Sequence, residues 1–209
     1  MTNRRIHPEF EAWRDIPSSI TSDCLERFAA MSGELRSLSG NGVVGPAHTL
    51  RTTAGDNLSI HAELTSVARG SVLVIDAGGY RDRAVWGGVL MTAALSVGII
   101  GVVIDGSVRD IDQLRESEFP VYARGTSPAG PFKTGGGIGG TTISCGGVVV
   151  NQGDLIVADG DGVTVVATTM IEQTLESALA RIALEETWVD QINSGVSSMD
   201  ALKLNTRKN

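Results

Sequence analysis

Cysteine and histidine are scarce in this chain of 209 residues, which contains two cysteines and three histidines. Cys24 and Cys145 lie far apart and form no Cys-x-x-Cys motif, so neither a disulfide framework nor a thiolate zinc site is expected. His7, His48 and His61 show no spacing typical of zinc ligands. The sequence therefore predicts two reduced thiols, as in proteins of the cytoplasm.

Basic and aromatic residues are also few. Lys and Arg number 17 against 24 Asp and Glu, which gives a formal net charge of −7, and aromatic residues make up 4% of the chain. Proteins that bind nucleic acids use Lys and Arg to contact phosphates and aromatic rings to stack on bases. We therefore expect no nucleic-acid partner.

Long apolar runs are absent, and none reaches the length of about 18 residues that a membrane-spanning helix requires. The first ten residues, MTNRRIHPEF, do not contain the apolar core of a secretory signal. These two observations predict a cytoplasmic protein without membrane association.

Glycine is abundant, with 26 residues, and hydrophobic residues make up 42% of the chain. This composition is typical of a folded domain that is rich in turns. We expect a single domain over residues 1–209, with an N-terminal arm over 1–17, a long helix over 169–194 and a polar tail over 195–209.

Turn-forming residues divide the first part of the chain. A helix is predicted from about residue 18 to Gly33, and a strand over 43–53 with an interruption at Gly45-Pro46. Asp56 then caps a second predicted helix over 57–68.

A strand, a helix and another strand follow each other in the centre of the sequence. The apolar runs at 71–76 and 99–104 are typical of buried strands, with a loop predicted over 77–80. The helix between them has apolar residues at helical spacing, namely Leu90, Ala93, Ala94 and Val97. This order is the signature of a parallel βαβ unit.

Shorter elements follow this unit. A short helix over 111–118 and a brief strand over 121–123 precede a glycine-dense loop over 125–140, and closely spaced β segments begin at Thr141. Together with the βαβ unit they predict an α/β fold with a mixed sheet and flanking helices.

Two other motifs point to turns. Gly135 to Gly140 matches the dinucleotide string G-x-G-x-x-G, but a strand should precede that string and a helix should follow it, and neither is predicted here. Asp154, Asp159 and Asp161 lack the pattern of a calcium loop and are interpreted as turn formers.

Arg109 and Asp110 follow the second central strand directly, and open α/β sheets bind ligands at the carboxyl ends of their strands. One interpretation is structural: Asp110 caps the next helix and forms a capping box with Gln113. The other is functional: Asp110 binds a hard divalent cation, and Arg109 offers its guanidinium to an oxyanion. The local sequence leaves both open.

Gly87 and Gly88 open the central helix, where unpaired backbone N–H groups favour anions. These glycines could serve close helix packing. They could equally form a nest of N–H groups over residues 87–90 that receives a carboxylate.

Gly88, twenty intervening residues and then Arg109-Asp110 together resemble the signature of the class II 4-hydroxy-4-methyl-2-oxoglutarate aldolase and RraA-like family. The similarity covers roughly residues 20 to 190. Its main segments are VIDAGGYRDRAVWGG, GVVIDGSVRD, the strand from Pro120 to Gly125, and NQGDLIVADGDGVTVV.

The resemblance implies a swivelling β/β/α domain that assembles as homotrimers or hexamers with sites between subunits. In the family, the residues matching Gly87, Gly88, Val89, Leu90 and Arg109 bind the keto-acid product. The residue matching Asp110 binds the metal, which implies Mg²⁺ or Mn²⁺ as the cofactor.

The activity implied is a lyase that cleaves a carbon–carbon bond of a 2-oxo acid and yields pyruvate, with oxaloacetate decarboxylation alongside. Arg109 and the metal held by Asp110 would stabilise the enolate. Aldolases of the family usually have Glu or Asp where this chain has Gln113, and no general base is evident from the sequence. The alternatives are an RraA-like regulator that binds a protein partner such as RNase E, and a related lyase or hydratase.

Overall fold

The computed structural model describes residues 4–204. Its main feature is a nine-stranded sheet in which seven strands follow the order β11-β10-β3-β4-β5-β6-β2, while β1 and β7 pair with β3. A separate two-stranded sheet is formed by β8 and β9. The strands are β1 (Arg5–Ile6), β2 (Arg36–Ser39), β3 (Val43–Arg51), β4 (Val72–Trp86), β5 (Gly101–Val108), β6 (Val121–Thr126), β7 (Ile138–Gly139), β8 (Ile143–Cys145), β9 (Val148–Val150), β10 (Leu155–Ala158) and β11 (Val163–Val166).

Helices flank this sheet. They are α1 (Ser18–Cys24), α2 (Leu58–Glu63), α3 (Gly88–Val97), α4 (Ile111–Glu116), α5 (Ile171–Asn193) and α6 (Ser198–Ala201), with 3₁₀ turns at Pro8–Trp13 and Thr168–Met170. No helix in the described part of the chain is long and apolar enough to cross a membrane.

The centre of the sheet is parallel. β3, β4, β5 and β6 run in the same direction, and β4, α3 and β5 form the βαβ unit that the sequence predicts. The strands β2, β7 and β10 pair antiparallel to this centre. The prediction of an α/β fold with a mixed sheet and flanking helices is therefore confirmed.

Burial follows from this topology. All residues of β5 are buried, and so is the first part of β4, because helices or further strands cover both faces of the central sheet. Since parallel strands end at the same edge, the segments that follow β4 and β5 lie side by side. That edge is where α3 begins.

Strand β4 is longer than predicted. The strand was expected over 71–76 with a loop over 77–80, whereas β4 continues to Trp86. Its second half keeps pairing with β5 through register shifts at Tyr80 and Ala84, and Gly78 and Gly79 adopt positive φ there. Pairing with a distant strand overrides the local turn signal of the two glycines.

Two helices near the N-terminus also end earlier than predicted. α1 ends at Cys24 and not near Gly33, because Glu26 and Arg27 adopt positive φ, which a helix cannot accommodate. α2 ends at Glu63 and not at residue 68.

Strand β3 passes through Gly45-Pro46 without the expected interruption. The predicted irregular arm contains β1 and a 3₁₀ turn, and β2 was not predicted. At the C-terminus, α5 agrees with the predicted long helix, and the polar tail includes α6. The last part of that tail, 205–209, lies outside the described residues.

Candidate functional site

A cavity of about 270 Å³ lies where β4 and β5 end and α3 begins. Its walls include Trp86, Leu90 and Pro131. Trp86 is buried, and its indole N–H has no hydrogen-bond partner among the described residues. Five polar or charged residues also line this cavity, namely Asn57, His61, Arg109, Asp110 and Lys133.

Asp110 has an unusual backbone conformation in this cavity. Its φ is 59°, in the left-handed region, and its side chain makes no hydrogen bond to its own helix α4. The capping box of Asp110 with Gln113 is therefore wrong. Non-glycine residues in this region are uncommon and concentrate at functional sites.

The Asp110 carboxylate turns to the neighbouring helix instead. The backbone N–H of Gly88 donates to Oδ2 of Asp110 at 3.0 Å, which satisfies one of the unpaired N–H groups at the start of α3. The other oxygen, Oδ1, has no partner among residues 4–204. One oxygen of a half-exposed carboxylate thus stays available to a ligand.

Gly87 and Gly88 are required for this close approach. A Cβ at Gly87 would lie 2.5 Å from Oδ2 of Asp110 and 3.0 Å from Cγ of Arg109. A Cβ at Gly88 would overlap the side-chain amide of Gln113. Both glycines therefore serve close packing, and Gly87 packs against two residues that line the cavity. The nest of N–H groups for a carboxylate stays a prediction.

The first turn of α3 contributes further donors. Because Gly87 has no side chain to cap the helix, the N–H groups of Val89 and Leu90 find no acceptor in the described part of the chain. Both residues line the cavity, and Val89 is exposed. α3 has ten residues, so the positive end of its dipole adds to the attraction for an anion.

Arg109 is held by its backbone and not by its side chain. Its N–H donates to the carbonyl of Trp86 at 2.9 Å. The guanidinium makes no hydrogen bond to a described residue, and its Nε lies 3.7 Å from Oδ2 of Asp110, too far for a hydrogen bond. Its donors are free to bind an oxyanion from solution.

Three residues on the other side of the cavity were not identified from the sequence. The ammonium of Lys133 donates to Oδ1 of Asn57 at 3.0 Å and to Nε2 of His61 at 3.3 Å. The Asn57 amide is itself held, because it donates to the carbonyl of Val85 at 3.1 Å. These contacts point the charge of Lys133 at the cavity that Arg109 lines.

His61 is neutral in this arrangement. Burial, and then the charge of Lys133, lower the pKa of His61 below its usual value. Since an ammonium has only donors, Nε2 of His61 must accept and Nδ1 carries the proton. A neutral imidazole thus supports the cation beside it.

Asp56 positions these three residues. Its buried carboxylate accepts hydrogen bonds from Thr134 and Gly135 in the loop that contains Lys133, and from the N–H of Leu58 at the start of α2. Burial alone would raise the pKa of Asp56, but these hydrogen bonds outweigh it and lower the pKa. The prediction that Asp56 caps this helix is wrong, because the N-cap residue of α2 is Asn57. Asp56 instead joins the start of α2 to the Lys133 loop.

Asp110 is the residue of this cavity that could hold a divalent cation, with water and substrate as the other ligands. Within residues 4–204 no cluster of three or more His, Cys, Asp or Glu side chains exists that could enclose a metal ion. Mg²⁺ commonly binds through one or two carboxylates and keeps several waters. The free oxygen of Asp110 suits that mode, with the remaining positions left to water and substrate.

Other polar motifs lie elsewhere. Asp159 accepts from the N–H of Asp161, and Asp154 accepts from the N–H of Asn151, so these two carboxylates organise turns, as predicted. Asp159 also binds Ser18 and Arg4, and Asp154 also accepts from Thr168. The segment over 135–140 contains β7 and is followed by β8, so no helix follows it.

Comparison with known proteins places the chain in a family. The model of the RraA-like family, described as Aldolase/RraA, matches residues 18–165. A Halalkalibacterium halodurans protein, provisionally named 4-hydroxy-4-methyl-2-oxoglutarate aldolase, is 38% identical over 190 residues that cover 90% of each chain.

Solved structures show the same fold. An uncharacterised Pseudomonas syringae protein superposes with a TM-score of 0.82 at 27% identity, covering 93% of this chain and 92% of the other. A Streptomyces coelicolor protein, described as an unusual member of the RNase ES inhibitor RraA family, superposes with a TM-score of 0.74 at 29% identity, covering 87% and 97%. Since the family match spans well over half of its length, the chain belongs to the RraA-like (Aldolase/RraA) family.

Proposed function

We propose that this protein is a divalent-metal-dependent lyase that cleaves a carbon–carbon bond of a 2-oxo acid and releases pyruvate. The observation that carries the proposal is the cavity in which Arg109, Lys133 and the free oxygen of Asp110 face the uncapped start of α3. The 38% identical relative, named as an aldolase for 4-hydroxy-4-methyl-2-oxoglutarate, supports the same reaction class.

Asp110 would hold the cation, Mg²⁺ or Mn²⁺, through Oδ1. When bound, the cation supplies Lewis-acid polarisation of the substrate's keto group. The hydrogen bond from Gly88 fixes Oδ2, so the carboxylate is oriented before any ligand arrives.

The chain's own groups would bind and orient the 2-oxo acid. The N–H groups of Val89 and Leu90 receive the carboxylate next to the keto group. The guanidinium of Arg109 stabilises the negative charge that develops on the keto oxygen. Lys133 attracts a second anionic group on the substrate, as 4-hydroxy-4-methyl-2-oxoglutarate and oxaloacetate both have.

Cleavage breaks the bond between C3 and C4 of the substrate. The 4-hydroxyl loses its proton, C4 becomes a carbonyl, and the electron pair moves to C3 to give the pyruvate enolate, which takes up a proton to form pyruvate. Oxaloacetate loses CO₂ and gives the same enolate, so decarboxylation follows from the same charge stabilisation.

The second candidate is a non-catalytic regulator that binds a protein such as RNase E. It is supported by the likeness to the Streptomyces coelicolor protein, described as belonging to an RNase ES inhibitor family, and by Gln113, a residue that cannot act as a base. The free donors around the cavity favour the lyase.

Assembly into a homotrimer or hexamer is part of the proposal. Helix α5 has large apolar side chains on its exposed surface, among them Leu179, Leu184 and Val189. Exposed apolar surface of this kind is typical of an interface between subunits.

The test is an assay of pyruvate release from oxaloacetate and from 4-hydroxy-4-methyl-2-oxoglutarate, with and without Mg²⁺ or Mn²⁺. We expect metal-dependent release that Asp110→Ala abolishes. Asp82→Ala is the matched control, since Asp82 also follows an arginine, is exposed, and lies outside the cavity. Absence of metal-dependent turnover on both substrates would contradict the lyase and leave the regulator.

A further inference from the structure

A second groove lies at the opposite end of helix α3. Its volume is about 450 Å³, and its lining includes Arg5, His7, Arg69 and Leu95. It sits where β1, β4 and β5 begin, whereas the candidate functional site sits where β4 and β5 end. The ten residues of α3 separate the two by about 15 Å.

The charge of this groove is unusual for an acidic protein. Two guanidinium groups and an imidazole line it, and none of the carboxylates of residues 4–204 does. Neither Arg5 nor Arg69 forms an ion pair within the described part of the chain, although the chain has a formal net charge of −7. The groove is therefore a local positive region.

Packing holds these side chains in place. His7 lies against Gly70, where an added Cβ would overlap its ring, and Nδ1 of His7 accepts from the N–H of Glu9 at 3.3 Å. With Nδ1 accepting, Nε2 carries the proton and can donate to a ligand.

The two arginines are also supported. The side chain of Arg69 lies across Gly98, with Nη1 at 2.9 Å from the position of an added Cβ. The guanidinium of Arg5 lies 5.5 Å from the ring centre of Phe119, a cation–π distance. Neither guanidinium donates a hydrogen bond to another residue in the described part of the chain.

The remaining lining is apolar. Pro8, Leu95, Ile99 and Ile100 contribute to the groove, and Leu95 is exposed. A ligand that fills the groove must therefore combine an anionic group with an apolar body.

We propose that this groove is an anion-binding site for a small phosphate monoester, with the phosphate between Arg5, His7 and Arg69 and the ester group on Leu95 and its apolar neighbours. The planar guanidinium matches the oxygens of a phosphate, and two arginines with a histidine favour a dianion. The site is independent of the proposed lyase activity.

Calorimetric titration of the full-length protein at low ionic strength tests the site, with phenyl phosphate and inorganic phosphate as probes. We expect phenyl phosphate to bind more tightly, because only it contacts the apolar floor, and added salt to weaken both. The double variant Arg5→Ala/Arg69→Ala should lose at least about tenfold in affinity, since it removes two charged donors.

Three further variants make the result specific. Arg51→Ala, an exposed arginine outside the groove, should bind like the unaltered protein. Arg109→Ala/Lys133→Ala should retain binding, which separates this groove from the candidate functional site. Leu95→Glu, a change at an exposed helix position, should abolish binding by placing a carboxylate among the cations.

Unchanged affinity in a folded Arg5→Ala/Arg69→Ala protein would overturn the proposal, and so would binding lost only in Arg109→Ala/Lys133→Ala. A third contrary result is self-association in sedimentation that depends on Arg5 and Arg69 without any binding of phenyl phosphate. The groove would then receive an acidic segment of a second copy.

Discussion

Two arginine–aspartate pairs, one involving strand β5 and one just beyond its end, have opposite surroundings. Arg124 in β6 pairs with Asp105 in β5, and their side chains are 16% and 9% exposed. Arg109 and Asp110, just beyond the end of β5, are 42% and 40% exposed and lie too far apart to share a hydrogen bond. The same two residue types form a closed pair in one place and an open pair in the other.

The two pairs differ in the hydrogen-bond partners that the protein itself provides. Asp105 accepts from Arg124 and from the N–H of Gly146 at 2.7 Å, and Arg124 also binds Glu34, so the capacity of this pair is used within the protein. The hydrogen bond from Arg124 to Asp105 raises the pKa of Arg124. Within residues 4–204, neither the guanidinium of Arg109 nor Oδ1 of Asp110 has a hydrogen-bond partner, so their capacity remains for a ligand. A closed pair indicates a structural role, and an open pair lining a cavity indicates a binding role.

The largest effect is expected from opening the closed pair. Asp105→Ala removes a buried carboxylate that accepts from Arg124 and from the N–H of Gly146. Because Arg124 is only partly buried and keeps Glu34 as a partner, we expect a loss of about 3 kcal/mol of unfolding free energy, the low end for breaking a buried pair. Chemical denaturation monitored by circular dichroism measures the loss. Glu34→Ala removes the exposed end of the same network and should cost less than about 1 kcal/mol. If both variants lose equally little, the closed pair has no structural role.

The second prediction disturbs the open pair without removing a charge. Gly87→Ala forces a methyl group against Asp110 and Arg109, and we expect the rate of pyruvate release to fall about 100-fold, since small misplacements at a reacting centre have effects of that size. Gly87 has φ of −172°, an extended conformation open to any residue, so backbone strain does not contribute.

Gly33→Ala is the control for that change, because no heavy atom lies within 4 Å of an added Cβ there. It should leave both the activity and the unfolding free energy unchanged. Full activity of Gly87→Ala would show that the position of Asp110 does not matter for turnover.

The central part of the fold could be predicted because its signals are local. The helical spacing of Leu90 and Ala94 and the apolar run of β5 each identify one element, and their order implies a parallel pair. The second half of β4 could not be predicted, since its strand conformation comes from pairing with β5.

The candidate site divides in the same manner. Gly87 to Leu90, Arg109 and Asp110 come together because they follow adjacent parallel strands, which is a property of the topology. Lys133 and His61 join them through contacts between a loop and a short helix, both anchored by Asp56. No periodic pattern encodes such contacts, so these two residues could not be identified from the sequence.

A smaller effect is expected at the far side of the open cavity. Lys133→Met keeps the length of the side chain and removes its charge, and we expect kcat/KM for a 2-oxo diacid to fall about tenfold, because Lys133 is exposed and its interactions are partly screened. Steady-state kinetics check this. The unfolding free energy should change by less than about 1 kcal/mol, in contrast to Asp105→Ala. A large loss of stability would show that Lys133 has a structural role, as the closed pair has.

The smallest effect is a pH dependence that only the open cavity should show. Because the pKa of His61 is below the usual 6.5, His61 gains a proton only as the pH falls below that value, and the imidazolium then repels Lys133. The unfolded chain binds this proton more readily, so the unfolding free energy should decrease in the same range of pH. We expect kcat/KM to fall about fivefold there, because repulsion at a partly exposed site is weak.

His61→Gln can still accept from Lys133 but cannot titrate, so its acid-side decline should be absent. An unchanged decline in His61→Gln would assign the titration to another group and leave the Lys133–His61 contact a matter of packing.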